Sequence, residues 1–403
     1  MLREWGDVSV AIERKAEGEE KVYERKATAI VSAGSLISLF VLLTAGHARG
    51  QLNLGPEQCV QSDGLDIDVP GYSVPSFVYW DGDDLKDLIV GEGSGTETAR
   101  VRIYLNFGTA DEPVFSGHFY AQSDGEDLTV PGSGCLGLFP RVVYWDDDDR
   151  KDLLIGQSDG KLKLFLNIGT DDDPTFDGGM FLQVGAPGFK TDIDVGSRTT
   201  STVVDWNSDG RKDLVAGAVD GKIHIFLNEG TDVAPDFLEE ILALNDGEVL
   251  VVPTLRSSPA VLDVDGDGRK DFITGNTYGE LLFYVNVGTD EAPLFSGYVN
   301  VEADGVPIDL PGTPRSRPCV CDWTGDGRVD VLIGAGDGLV RLYQGAAVPG
   351  DTNGDGVVDI EDLLFLLGVW GDCPDPPVLC PADFDENGVV NVTDLLFLLA
   401  HWS

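Results

Sequence analysis

The feature that most constrains this chain is a five-fold internal repeat. Val78-Tyr-Trp-Asp-Gly-Asp-Asp-Leu-Lys-Asp87 returns as Val143-Tyr-Trp-Asp-Asp-Asp-Asp-Arg-Lys-Asp152, as Val204-Asp-Trp-Asn-Ser-Asp-Gly-Arg-Lys-Asp213, as Leu262-Asp-Val-Asp-Gly-Asp-Gly-Arg-Lys-Asp271 and as Cys321-Asp-Trp-Thr-Gly-Asp-Gly-Arg-Val-Asp330. The closing aspartates stand 65, 61, 58 and 59 residues apart. Such a period describes one small unit copied five times, each needing a neighbour to cover its apolar face. Within a period the acidic loop leads into an apolar run ending in glycine, such as Leu88-Ile-Val-Gly91 or Val331-Leu-Ile-Gly334. A second apolar run follows, such as Lys222–Leu227. Four periods then carry Asn-x-Gly-Thr, from Asn106, Asn167, Asn228 and Asn286, and afterwards Pro-x-Phe. Short runs between turn signals read as about four strands per period. The expected fold is mainly β, a five-bladed β-propeller of four-stranded blades over residues 51–346. The 51 glycines and 21 prolines of the 403 residues suit that many turns.

The tail differs. Asp351-Thr-Asn-Gly-Asp-Gly-Val-Val-Asp-Ile-Glu-Asp362 precedes Leu363–Trp370, and Asp383-Phe-Asp-Glu-Asn-Gly-Val-Val-Asn-Val-Thr-Asp394 precedes Leu395–Trp402. Apolar residues at Leu363, Leu366, Leu367 and Trp370 follow helical spacing. Residues 350–403 therefore read as a small duplicated loop–helix domain, with the Pro349-Gly350 junction as its boundary.

The five repeats resemble the FG-GAP/VCBS family, related to the propeller of integrin α-chains. The tail resembles a type I dockerin, with EF-hand-like loops. Both resemblances imply calcium. Carboxylates at alternate positions of a tight loop converge and repel, and a hard cation that takes six to eight oxygens offsets the repulsion. In the blades, ligands are expected at loop positions 1, 3, 5 and 9: Asp205, Asn207, Asp209 and Asp213; Asp263, Asp265, Asp267 and Asp271; Asp322, Thr324, Asp326 and Asp330. The first two loops depart from the pattern, with Tyr79 and Tyr144 at position 1 and Asp84 and Asp149 where glycine is usual. Asp81, Asp83 and Asp87, with Asp146, Asp148 and Asp152, form weaker candidates; the alternative is a solvated acidic hairpin. In the tail the implied ligands are Asp351, Asn353, Asp355, the Val357 carbonyl, Asp359 and Asp362, then Asp383, Asp385, Asn387, the Val389 carbonyl, Asn391 and Asp394. About five structural Ca²⁺ sites are expected, seven with the weaker pair.

Charge and export narrow the function. Asp+Glu number 70 against 27 Lys+Arg, a net charge of −43, which excludes phosphate backbones and hence nucleic acid as a partner. Residues 27–46 carry no charge, and Gly46-His47-Ala48 offers a cleavage site. Residues 1–48 read as an export signal or, uncleaved, a membrane anchor. The protein is expected to be secreted or held at the cell surface. Cys373 and Cys380 are expected to pair in that setting; Cys59, Cys135, Cys319 and Cys321 are left unassigned.

Two functions follow. The first is a non-enzymatic binding or scaffold module for an extracellular protein or glycan. It would dock through its tail, and in the dockerin family the partner is a cohesin. Loop positions 10 and 11 here are Ile360-Glu361 and Val392-Thr393 rather than the family's Ser-Thr-like pairs. The second is a polysaccharide-degrading lyase or glycoside hydrolase carrying the same tail. The repeated aspartates are already assigned to loops, and no unrepeated acid, His or Arg cluster stands out, which favours the non-enzymatic reading. Trp80, Trp145, Trp206 and Trp323 recur at one place, either to stack on sugars or to fill the wedge between blades. Finally, the fifth repeat stops at Tyr343, while residues 58–71 resemble the closing segment of the first repeat. A strand within Leu52–Asp68 is expected to complete the fifth blade beside Leu339–Tyr343.

Overall fold

Each acidic loop joins two strands of one blade. In the third blade Thr200–Val204 pairs antiparallel with Asp213–Gly217, then Ile223–Phe226, then Ile241–Leu242. The order holds in the second blade (Phe139–Val143, Asp152–Gly156, Leu162–Phe165, Met180–Phe181) and in the fourth (Pro259–Leu262, Asp271–Gly275, Leu281–Tyr284, Val299–Asn300). The first blade has Ser73–Tyr79, Lys86–Glu92, Thr98–Tyr104 and Phe119–Tyr120, with Thr129–Pro131 added beside Thr98–Arg100. These are observations on a computed structural model that describes residues 52–93, 98–131, 138–264, 267–312, 314–352, 358–373, 380–385 and 387–402. The expected export segment, Cys135, Asp265, Asn353, Asp355 and Val357 lie outside the described residues. No helix among the described residues is long and apolar enough to cross a membrane.

The first strands of the blades touch one another in a closed ring of five, so they are the innermost. The second strands of the second to fifth blades are buried at every residue, because a neighbouring blade covers each face. That is why they read as continuous apolar runs rather than alternating ones. The glycine ending each run has a packing cause. A Cβ on Gly156 would stand 1.9 Å from Thr199 O, and on Gly275, 2.0 Å from Ser316 O. The next blade's backbone occupies the space a side chain would need.

Between blades the tryptophans are core, 3–6% exposed, so they fill the wedge and offer no face to a sugar. Each meets the Pro-x-Phe phenylalanine of the following blade: Trp80 with Phe176 at 6.0 Å between centroids, Trp145 with Phe237 at 6.4 Å, Trp206 with Phe295 at 6.3 Å, Trp323 with Phe115 at 5.9 Å. At the remaining seam, between blades four and five, Val264 and Leu54 share one core instead.

The fifth blade is completed by the start of the propeller, as expected. Arg317–Cys321, Asp330–Gly334 and Val340–Tyr343 are joined by Gln58–Cys59, with Gln58 opposite Leu342. Val60 N donates to Val340 O and Val69 N to Gly338 O. Leu54 bridges Gly345 just as Phe115 bridges Asn106, supplying the missing Pro-x-Phe contact.

The reading of four strands per period misses one element. A two-stranded hairpin follows the outer strand, as in Gln122–Ser123 with Glu126–Asp127 or Leu244–Asn245 with Glu248–Val249. Its turn is Asp-Gly with both φ positive (Asp124 53°, Gly125 80°), the backbone such two-residue turns require.

In the tail, α1 (Ile360–Gly368) and α2 (Val392–Ala400) meet over a small core of Val358, Leu366, Ala382, Val390 and Leu398. Cys373 and Cys380 form the expected disulfide.

Candidate metal-binding loops

Each loop begins where an innermost strand ends. In blades three and five the position-1 aspartate wraps the turn: Asp205 accepts from the amides of Asp209 and Gly210, at 3.0 and 2.8 Å, and Asp322 from those of Asp326 and Gly327. In blade four Asp263 accepts from Gly268 N at 2.9 Å. The glycine at position 6 sits at φ 82–84°. In blades one and two Asp84 and Asp149 hold φ of 63° and 61° there, and Tyr79 and Tyr144 cannot make the wrap. The turn shape survives, without that ligand.

The closing aspartate acts on the fold as well. Asp213 is fully buried; one oxygen accepts from Trp206 N at 2.8 Å and the other from Asn228 N at 2.7 Å. Asp87, Asp152, Asp271 and Asp330 repeat this two-oxygen staple between loop and third strand. Burial holds the carboxyls of Asp87 and Asp152 up at about 6, and raises those of Asp213 and Asp330. A cation beside them would offset that desolvation. Asn106, Asn167, Asn228 and Asn286 are structural too: each Oδ1 accepts two backbone amides, as from Gly230 and Asp236 at Asn228.

Charges around the loops link the blades. The arginine at position 7 holds the position-5 carboxylate: Arg150 with Asp148, Arg211 with Asp209, Arg269 with Asp267, Arg328 with Asp326. The lysine at position 8 reaches the preceding blade's loop. Lys151 donates to Trp80 O, Lys212 to Tyr144 O, Lys270 to Ser208 Oγ, and Lys86 to Asp322 O across the closure. Blade five has Val329 at this position, so the four–five seam lacks the bridge.

The donors present fit a hard cation. The strongest grouping is in the tail, where Asp383, Asp385 and Asp394 offer carboxylate oxygens within 4.8 Å of one another. Asp383 accepts from Asn387 N and Gly388 N, and buried Asp394 from Phe384 N and Asn391 N. Asp362 repeats the position-12 role, accepting from Thr352 N and Asp359 N. In the blades two position-3 oxygens, Asp146 Oδ1 and Thr324 Oγ1, are buried without a hydrogen-bond partner among the described residues. Such oxygens suit a metal that replaces the missing donor. Among the described residues no blade loop gathers three carboxylate oxygens as tightly as the tail does; the arginines hold the position-5 groups.

One cluster is missed by the sequence reading. Arg198, Arg256 and Arg315 stand seven residues before Asp205, Asp263 and Asp322, and with Arg317 they line one cavity at the opposite end of the innermost strands. The cluster is a repeated one, assembled from three blades rather than from the loops of a single blade. The equal offset was the available signal, obscured because blades one and two have Tyr72 and Gly137 there.

A family model, the FG-GAP-like repeat, matches residues 263–333, from the fourth acidic loop through the fifth blade's second strand. The molecule is a five-bladed β-propeller carrying an FG-GAP-like repeat. No curated protein matches the chain. Among solved structures, the catalytic domain of a GH62 α-L-arabinofuranosidase of Coprinopsis cinerea is similar at TM-score 0.43 and 12% identity, over 73% of this chain and 97% of that one. An Agrocybe aegerita lectin recognising non-reducing terminal N-acetylglucosamine is similar at TM-score 0.38 and 19% identity, over 72% and 65%. The Photorhabdus luminescens Tc holotoxin pore is similar at TM-score 0.36 and 11% identity, over 74% of this chain but 15% of that chain.

Proposed function

We propose that this is an exported, calcium-stabilised propeller that acts as a non-enzymatic binding or scaffold module, anchored to an extracellular partner through its dockerin-like tail. The observation that carries the reading is the convergence of Asp383, Asp385 and Asp394 in a loop whose duplicate and five blade counterparts share its acidic spacing. Ca²⁺ would be held there by Asp383, Asp385, Asn387, Asn391, Asp394 and the Val389 carbonyl, and in the blades by the acidic loops, most fully in blades three to five. Extracellular modules of this kind bind it at about 10⁻⁴–10⁻³ M, and binding to the folded state alone adds to stability. The docking part draws support from the helices. Leu364, Leu367, Trp370, Leu396, Leu399 and Trp402 are all exposed, giving each copy an apolar face for a protein partner such as a cohesin.

The test has two arms. EDTA should lower the melting temperature by several degrees and added Ca²⁺ should restore it; a melting curve indifferent to EDTA removes the calcium reading. An array of extracellular proteins and glycans, probed with the full chain and with Leu364→Asp/Leu396→Asp, should show calcium-dependent capture that the double variant loses. Release of shortened oligosaccharides from a polysaccharide panel would instead support the enzymatic alternative.

A further inference from the structure

The end of the axis opposite the acidic loops is arginine-rich, although the chain as a whole is strongly acidic. Arg198, Arg256, Arg315 and Arg317 line one cavity together with Thr200, Ser258 and other neutral residues; no Asp or Glu is among its described lining residues. Three of the guanidinium groups converge on a single ring. Their carbons lie 5.7 Å (Arg198), 5.1 Å (Arg315) and 4.3 Å (Arg317) from the centre of Tyr72, which is itself buried.

The backbone is bent to place them. Arg198, Arg256 and Arg315 hold φ of 59°, 64° and 49°, left-handed values that a non-glycine side chain adopts at a cost and that cluster where function demands them. All three stand seven residues before the first aspartate of their blade's acidic loop, so the ring symmetry gathers three copies of one strained residue. Arg317 is almost wholly buried, at 4% exposed. Burial lowers the Arg315 guanidinium from its ordinary value. Ser258 Oγ, buried on the cavity wall, has no hydrogen-bond partner among the described residues.

We infer that this arginine mouth is a binding site for one oxyanion group, a sulfate or a carboxylate, carried by a small ligand or by a sugar of an acidic glycan. Guanidinium forks donate paired, charge-assisted hydrogen bonds to such oxygens, and the Ser258 hydroxyl adds a neutral donor. The open cavity offers about 20 Å³, room for one water-sized group at its base. The terminal oxygens of the anion therefore enter while the rest of the ligand stays outside. This site is independent of calcium and of the tail, so it stands or falls apart from the proposed docking role.

The test is calorimetric titration of the full chain with sodium sulfate, sodium glucuronate and, as the control, sodium chloride at matched ionic strength. Saturable binding of sulfate or glucuronate but not chloride is expected, and which of the two binds tighter separates an inorganic ion from a uronic acid. Arg198→Gln and Arg315→Gln should each weaken it about tenfold, and the pair should abolish it. No saturable binding of either anion, or unchanged binding by a folded double variant, overturns the proposal. Should the double variant fail to fold, selenate soaked into wild-type crystals decides: an anomalous peak among Arg198, Arg256 and Arg315 supports the site, and its absence there overturns it.

Discussion

Single side chains in the acidic loops do two separable jobs. Asp213 satisfies two buried backbone amides, whereas Asp205 accepts from amides that are exposed to water. Leaving a buried donor unpaired costs about 1–3 kcal/mol. Asp213→Ala should therefore destabilise by roughly 2–5 kcal/mol even in EDTA, while Asp205→Ala should matter mainly when Ca²⁺ is present. Urea denaturation of both variants, with and without EDTA, measures the difference; equal effects in EDTA would contradict the staple. Arg328 gives a second handle at this scale. It holds Asp326, while Thr324 Oγ1 has no hydrogen-bond partner among the described residues. Thr324→Asp should tighten Ca²⁺ binding in blade five by adding a charged ligand at loop position 3, read by calcium titration of the variant against wild type.

Blades, seams and helices show what the sequence displays and what it conceals. The acidic loops, the glycine ending each second strand and the spare strand at the start are local signals, and each survives in the structure. The Asp-Gly hairpins were equally local, but their flanking strands are two residues long and carry no alternating pattern to announce them. The arginine mouth is different in kind: Arg198, Arg256 and Arg315 are far apart in the chain, and only ring closure brings them together. Seam quality is likewise invisible without pairing. The four–five seam has Val264 and Leu54 in place of a Trp–Phe pair, and Val329 in place of the bridging lysine. An aromatic pair adds about 0.5–1.5 kcal/mol beyond its burial. Amide hydrogen exchange should thus be fastest along this seam, in Leu281–Tyr284 and Asp330–Gly334, relative to the same strands elsewhere. Leu54→Ala should cost roughly 2–5 kcal/mol, the usual range for a buried leucine, despite lying outside the repeats.

At the scale of the whole molecule, charge sets the balance. A net charge of −43 opposes compaction, and salt screens that repulsion over about 10 Å at 0.1 M. In EDTA the melting temperature should rise as NaCl increases from about 0.01 to 0.5 M, an interval over which the screening length shortens several-fold. With Ca²⁺ bound the same series should be flatter. A salt response unaffected by calcium would show that the loops do not carry the repulsion.

The fifth blade also fixes a timetable. Glu57 and Arg341, paired across it, are 284 residues apart in the chain. At roughly 5–20 residues per second, the first strand emerges and then waits on the order of a quarter of a minute to a minute for the strand it must join. Through that interval both edges of the growing sheet array stay exposed to other chains. The last-made blade is therefore the latch that ends this exposure.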